Sequence, residues 1–177
     1  MKFIFFPGHG ETRAVTIGGM KRKYPDQPII GVGGIVFRED QVLLVKRGKE
    51  PNLGRWSIPG GAVQTGETLK EAVIRELREE THLEVEVLVV TKVLDRIFRD
   101  PDGRVAYHYV LVDFLCHPKK GELRPDSDAA DARFVPLQEL SSYSLPPHTL
   151  EVIHRADRLR RHPEGSPSFA ETGFYDG

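Results

Sequence analysis

The segment from Thr68 to Thr81 constrains this chain more than any other, because it sets carboxylates into the apolar side of a helix. Successive helical residues rotate by about 100°, so with Leu69 at zero the apolar residues Ala72, Val73, Leu77 and Ile74 fall near ~300°, ~40°, ~80° and ~140°. On the same wheel Glu76 falls near ~340°, Glu80 near ~20° and Glu79 near ~280°. Two carboxylates therefore lie inside the core-facing stripe and a third lies at its edge. Lys70, Glu71, Arg75 and Arg78 lie mostly toward the outside or at its margins. Like charges four residues apart repel, and partial burial strengthens the repulsion. A hard cation with oxygen ligands removes that penalty. Mg²⁺ is the usual ion when phosphate is the other ligand, and Mn²⁺ is chemically admissible. Taken alone, the helix also fits a Glu-rich surface element balanced by Arg75 and Arg78, with Glu67 explained by the helix macrodipole.

The preceding loop shifts the balance. Gly60, Gly61 and Gly66 let the chain turn tightly and bring backbone groups close to an ion or a phosphate. Gly61, five residues, Glu67, seven residues and then Arg75-Glu76-Leu77-Arg78-Glu79-Glu80-Thr81 form a long pattern of fixed spacing that resembles the Nudix box. One position departs from it. His82 stands where the family has Gly, followed by the expected aliphatic Leu83, so the helix must end on a residue with a side chain.

The likeness extends outside the box. Val42 to Arg47 resembles the strand before it, Trp56 to Gly61 the lead-in loop, and Ala132 to Leu140 the later strand and its exit. The resemblance thus spans residues 29–140 and implies an α/β class fold, an α/β/α sandwich around a mixed β-sheet. It divides the chain into an N-terminal extension, residues 1–28, a hydrolase domain, residues 29–162, and a loose tail, residues 163–177. The extension holds no cysteine, so the zinc ribbon that precedes this domain in some relatives is not expected.

The resemblance also implies a reaction: metal-dependent hydrolysis of a nucleoside diphosphate linked to another group. Glu76, Glu79 and Glu80, with the Gly61 carbonyl, would hold Mg²⁺ or Mn²⁺ and lower the pKa of an attacking water. Arg75 would orient a carboxylate as a rigid bidentate clamp, and Glu67 would order the loop or act through water. A helix glutamate, Glu79 or Glu76, is the favoured base, with Glu122, Asp126, Asp128 and Asp131 as loop alternatives. Substrate contacts are expected from Arg47, Trp56, Arg96 and Tyr107. Each has a plainer alternative: a surface Arg47, a Trp56 packed beneath the loop, and a Tyr107–Tyr109 face belonging to core or interface. ADP-ribose or another nucleotide sugar is the leading substrate class. A nucleoside triphosphate pyrophosphatase, a dinucleoside polyphosphate hydrolase and a non-catalytic nucleotide binder are the alternatives.

The remaining chain supplies the frame. Ile29 to Phe37 and Gln41 to Lys46 read as a hairpin turning at Glu39-Asp40, with Gly31, Gly33 and Gly34 inside the first strand. Glycines there imply a close backbone approach or a bulge. Residues 48–66 read as loop. Val85 to Leu94 and Val105 to Leu115 form a second hairpin around Asp100-Pro101-Asp102-Gly103. A polar loop over residues 117–131, a strand at Ala132 to Val135 and a helix at Thr149 to Arg160 follow, and Ile4 and Phe6 fit a short strand.

With 39% apolar and 29% charged residues, the 177-residue chain has the composition of a globular domain. Its 25 Lys and Arg against 26 Asp and Glu give no basic footprint for a nucleic-acid partner. A small nucleotide is the expected partner. Cys116, the single cysteine, reads as a buried thiol, and Cys-His catalysis with His117 is not expected because neighbours in a strand point oppositely. No segment approaches the ~20 apolar residues of a membrane span, so no membrane partner is expected and cytoplasmic localisation is the default. For assembly the default is a homodimer.

Overall fold

The computed structural model describes residues 16–17, 20–48 and 53–162. The expected strand at Ile4 and Phe6 and the tail, residues 163–177, lie outside the described residues.

The element order is β1 (Thr16–Ile17), β2 (Met20–Lys21), β3 (Ile29–Arg38), β4 (Gln41–Arg47), β5 (Trp56–Ser57), β6 (Gly60–Ala62), α1 (Leu69–Thr81), β7 (Glu84–Arg99), β8 (Val105–Lys120), β9 (Ala129–Pro136), a 3₁₀ turn (Leu137–Tyr143) and α2 (Pro147–Arg161). Among the described residues β1 and β2 pair with each other alone. The others form one mixed sheet organised around β3. β3 runs parallel to β8 from Ile29↔Tyr109 to Val36↔Cys116 and antiparallel to β6 across Gly31↔Ala62, Val32↔Gly61 and Gly33↔Gly60. It meets β4 only at the hairpin end, Phe37↔Val42 and Arg38↔Gln41. The sheet therefore splays between β3 and β4. β6 fills one side of the opening, while β4 turns away to pair with β5 and β9.

Two apolar layers follow from the strand alternation. Val32, Val36, Leu43, Val112 and Phe114 meet Ala72, Val73 and Leu77 of α1 on one side. Ile35, Val42, Leu44, Leu115 and Val135 meet Val152, Ile153 and Ala156 of α2 on the other. Each fully buried aliphatic side chain contributes about 1.5–3 kcal/mol. This is the expected α/β/α sandwich. The glycines of β3 mark close approaches: Gly34 lies under Leu77, where a Cβ would overlap the leucine methyl groups.

Several expected boundaries move. The stretch 48–66 is not all loop, since it contains β5 and β6. Strands of two and three residues leave no hydrophobic period to read, and their ladder partners lie far away in sequence. The second hairpin is longer than its apolar pattern, reaching Arg99 and Lys120 rather than Leu94 and Leu115. Its ends are largely exposed, and the ladder there is joined by side-chain pairs across the strands, Phe98 with Tyr107 at one end and Lys120 with Glu84 at the other. The expected loop over residues 117–131 consequently loses both flanks to β8 and β9.

α1 begins at a capping box: the Thr68 hydroxyl accepts from the Glu71 amide at 3.2 Å and the Glu71 carboxylate accepts from the Thr68 amide at 2.8 Å. It ends at His82, in the left-handed region with φ 58°. That conformation costs a side-chain-bearing residue about 1 kcal/mol relative to glycine. The His82 ring pairs with Asp126, Nε2 to Oδ2 at 3.0 Å, which offsets part of the cost and points the ring at the 121–128 loop. His82→Gly should unfold later in urea than His82→Ala by about 1 kcal/mol. Equal stabilities for these two variants would show that the helix exit is not strained.

Candidate active site

α1 carries Glu76, Glu79 and Glu80 on a gradient of burial. Glu80 is 6% exposed, the Glu76 side chain 15% and the Glu79 side chain 45%. This is the order the helical wheel sets out, with Glu80 and Glu76 turned inward and Glu79 at the edge. Arg75 gathers the surrounding acids. Its Nε and Nη2 donate to the two oxygens of Glu67 at 3.0 and 2.6 Å, a bidentate clamp. Nη2 also donates to the Ala62 carbonyl at 3.2 Å, and Nη1 reaches Glu76 at 2.8 Å and Glu79 at 3.3 Å. Glu67 in turn accepts from the Gln64 amide at 2.6 Å, so the loop before α1 is tied down from both sides. The Arg75 hydrogen bond holds the Glu67 carboxyl below the usual range.

The backbone comes equally close. A Cβ at Gly61 would overlap the Glu76 carboxyl group. Gly60 has φ 151° and donates its N–H to Glu80 Oε2 at 2.9 Å. Any Cβ there would run into the Val32 carbonyl, so the donor geometry needs glycine. Burial pushes Glu80 up to about 7. The Gly60 N–H and the charge of Arg47 oppose that rise, while the charges of Glu76 and Asp128 add to it. Burial also raises Glu76, against the pull of Arg75.

The structure distinguishes among the remaining expected site residues. Arg47 sits at a bulge between Lys46 and Arg47 in the β4–β9 ladder, close enough to Glu80 to act on its charge. Trp56 packs in the α2-side core, edge-on to Tyr143 at 5.2 Å with Arg133 across its face. That is the packed alternative. Tyr107 stacks on Tyr109 at 6.4 Å and meets Phe98 edge-on at 6.3 Å, while Arg96 lies over Phe98. Arg96 and Tyr107 thus sit together on the β7–β8 hairpin, and Tyr109 links them to Arg47 by charge. Of the four loop acids, Asp128 acts on Glu80. Asp126 pairs with His82, Asp131 pairs with Arg133, and Glu122 is exposed.

Two residues escaped the sequence reading. Arg22 acts on both Glu76 and Tyr109, and its Nε is buried with no hydrogen-bond partner among the described residues. It lies in a segment placed outside the domain, yet Tyr24 donates its N–H to the Ala106 carbonyl at 2.8 Å and fixes that segment on β8. Asp113, inside an apolar strand, is buried. Only the polar letter in that run could have signalled it.

The donor set suits a hard divalent cation by its chemistry, all oxygen, and Glu80 carries a burial cost that a cation would relieve. Among the described residues no three acidic, His or Cys side chains are converged for a metal, and Arg75 and the Gly60 N–H hold Glu76, Glu79 and Glu80.

Comparison with known proteins shows the family and the fold. The family model described as NUDIX domain matches residues 27–156. An ADP-ribose pyrophosphatase of Methanocaldococcus jannaschii is 38% identical over 113 residues, 64% of this chain and 64% of its own length. The chain thus spans just under two thirds of that relative. The crystal structure of a MutT NUDIX hydrolase from Burkholderia pseudomallei superposes with a TM-score of 0.65 at 30% identity, covering 73% of this chain and 98% of the other. An ADP-ribose pyrophosphatase from Streptococcus suis gives 0.59 at 28% identity, covering 76% and 93%.

The raised Glu80 pKa has a definite sign in the metal-free protein. A carboxyl lifted from 4.5 to about 7 by folding contributes stability below pH 4.5 that is lost as the pH rises through 7. In EDTA at pH 8, Glu80→Gln should therefore be more stable than wild type by up to about 3 kcal/mol, the difference shrinking toward pH 5. Thermal melts at both pH values check this. A Glu80→Gln variant less stable than wild type at pH 8 would contradict the burial cost assigned to Glu80.

Proposed function

The chain belongs to the Nudix hydrolase family, and from that premise we propose that it hydrolyses the diphosphate linkage of a nucleoside diphosphate derivative, with ADP-ribose or a related nucleotide sugar as the leading substrate. The observation that carries this reading is the desolvated Glu76–Glu80 pair on α1, pressed against the Gly60-Gly61 backbone. The names of the Methanocaldococcus and Streptococcus relatives support the ADP-ribose choice.

Members of this family generally use divalent cations. Here Glu76, Glu79, Glu80 and the Gly61 carbonyl would hold Mg²⁺, with Mn²⁺ as a substitute. The cation supplies charge neutralisation on the diphosphate and a lowered pKa for the attacking water. Arg75 keeps Glu67 and Glu76 in place, and its rigid fork makes lysine a poor replacement. Glu79, the most exposed of the three, accepts the proton from the attacking water, with Asp128 as the loop alternative. Arg47 lies beside Glu80 and meets the phosphate, and Arg96 and Tyr107 border the distal part of the substrate. Trp56 supports the loop from below.

Residues 29–162 form the hydrolase domain in this reading, with residues 1–28 as an extension and residues 163–177 as a tail. No helix among the described residues is long and apolar enough to cross a membrane, and cytoplasmic localisation belongs to the same proposal. So does a homodimer. Val93, Ile97 and Phe98 are exposed on β7, an edge strand whose outer ladder groups can pair with a second copy. Sedimentation should give about twice the 20.0 kDa chain mass, and a monomer at all concentrations removes the dimer.

A second reading, a nucleoside triphosphate pyrophosphatase, is favoured by the name of a putative 8-oxo-dGTP diphosphatase of Mycobacterium tuberculosis, 48% identical over 62 residues, 34% of this chain. Product analysis with Mg²⁺ separates the two. AMP plus ribose 5-phosphate from ADP-ribose is the expected result, whereas a monophosphate plus pyrophosphate from a triphosphate alone selects the second. Hydrolysis of neither would end the enzyme reading. Glu80→Gln should lower kcat by at least about 100-fold with the fold retained, and an unchanged kcat would overturn its role.

A further inference from the structure

We propose that His82 and Asp126 form a positioning latch, which fixes residues 124–128 on the C-terminal turn of α1 and so sets Asp128 at the Glu80 end of the carboxylate site. This rests on the hydrolase reading above and adds to it two positioning residues that act through Asp128.

The end of α1 leaves carbonyls to be satisfied from outside. The His82 N–H donates to the Arg78 carbonyl, and the left-handed turn at His82 then carries the chain away. The loop supplies donors for the next two exposed carbonyls. Asp126 donates its N–H to Glu80 and Arg124 donates its N–H to Thr81, at 3.2 Å each. In extended backbone, amides two residues apart point the same way. Pro125, between them, holds Arg124 extended and has no N–H to leave on the outer side. Gly121 crosses so closely that a Cβ there would meet the His82 carbonyl. Main chain thus brings the loop to α1, but 3.2 Å is the long end of the range for such bonds.

The side chains complete the attachment. Asp126 Oδ2 meets His82 Nε2 at 3.0 Å, while its Oδ1 accepts from the Ser127 N–H at 2.6 Å. One carboxylate therefore ties the helix exit to the start of the next turn. That turn closes with Ala129 donating to the Asp126 carbonyl at 3.0 Å, and Gly48, just past β4, donates to the Asp128 carbonyl at 2.7 Å. Asp128 is held from both sides, two residues beyond the amide that rests on the Glu80 carbonyl. The charge of Asp128 is felt at Glu80, in agreement with this placement. Stability does not account for the histidine. The two side chains are 38% and 62% exposed, and exposed pairs add little. The left-handed backbone favours glycine at the same position. What the ring does that glycine cannot is reach Asp126.

The test uses the full chain with His82→Gly, His82→Gln, Asp126→Ala and Asp128→Asn. His82→Gly should melt at or above wild type, yet bind Mn²⁺ about 10-fold more weakly by calorimetry. With Mg²⁺ and the substrate that product analysis selects, its kcat should fall about 10-fold while KM stays within about 3-fold. His82→Gln, which keeps a side-chain donor for Asp126, should recover most of both. Asp126→Ala should match His82→Gly, and the double variant should be no worse than either alone. Adding His82→Gly to Asp128→Asn should likewise deepen nothing. Wild-type values in His82→Gly, or additive losses in either pair, overturn the proposal. If wild type hydrolyses no diphosphate compound, the hydrolase reading fails instead. Hydrogen exchange in the metal-free protein then reads the latch by itself. The Arg124 and Asp126 amides should exchange about 10-fold faster in His82→Gly than in wild type, with α1 unchanged as far as Leu77. Equal exchange in the two proteins overturns the latch.

Discussion

One guanidinium organises this site. Arg75 joins Glu67 from the loop, Glu76 and Glu79 from its own helix, and the Ala62 carbonyl from β6. Without it, three carboxylates would face one another at partial burial, and the loop between β6 and α1 would lose its anchor. Lysine could neutralise one acid but could not span four acceptors in one plane. Glu80 alone stands outside the clamp, held by a backbone N–H. That separation leaves the most buried carboxylate the least neutralised, so it retains the most to gain from a cation.

The splay of the sheet explains why such a site sits where it does. β3 shares two residue pairs with β4 and eight with β8, so the two halves of the sheet part at its centre. Into that gap the chain places β6, and the glycines at its start bring main chain directly under α1. Close approach of backbone to carboxyl groups replaces the longer side-chain contacts of an ordinary helix–sheet interface. Gly60 and Gly61 are therefore part of the sheet and of the site at once.

Much of this was legible in the sequence because it is local. The order of burial along Glu79, Glu76 and Glu80 follows from a 100° rotation per residue, and the hairpin turns follow from Glu39-Asp40 and from residues 100–103. The unread parts depend on contacts between distant residues. Asp113 lies against Gly33 across 80 positions, and Arg22 acts on Glu76 across 54, distances over which no spacing rule operates. Asp128 was one of four acids in a polar stretch until the fold brought it near Glu80. β5 and β6 are too short to show a period. The outer hairpin, past Leu94, continues by ladder hydrogen bonds and by the Phe98–Tyr107 ring contact, between partners that no short-range spacing links.

The way α1 ends bears on how such a molecule can change. The Arg124 and Asp126 amides donate to the Thr81 and Glu80 carbonyls at 3.2 Å each, and Gly48 donates to the Asp128 carbonyl at 2.7 Å. Surface loops usually accept insertions at little thermodynamic cost. This one is pegged at three points within five residues, so added length there would break backbone bonds at the end of the helix that carries Glu80. Tolerance for lengthening is therefore unevenly distributed around the molecule. The 100–103 turn is closed by Gly103 donating to Asp100 and is tied at its base to the 22–24 segment, where the Tyr24 hydroxyl donates to Asp100 at 3.2 Å, so the less encumbered route for insertion is at its tip, Pro101-Asp102.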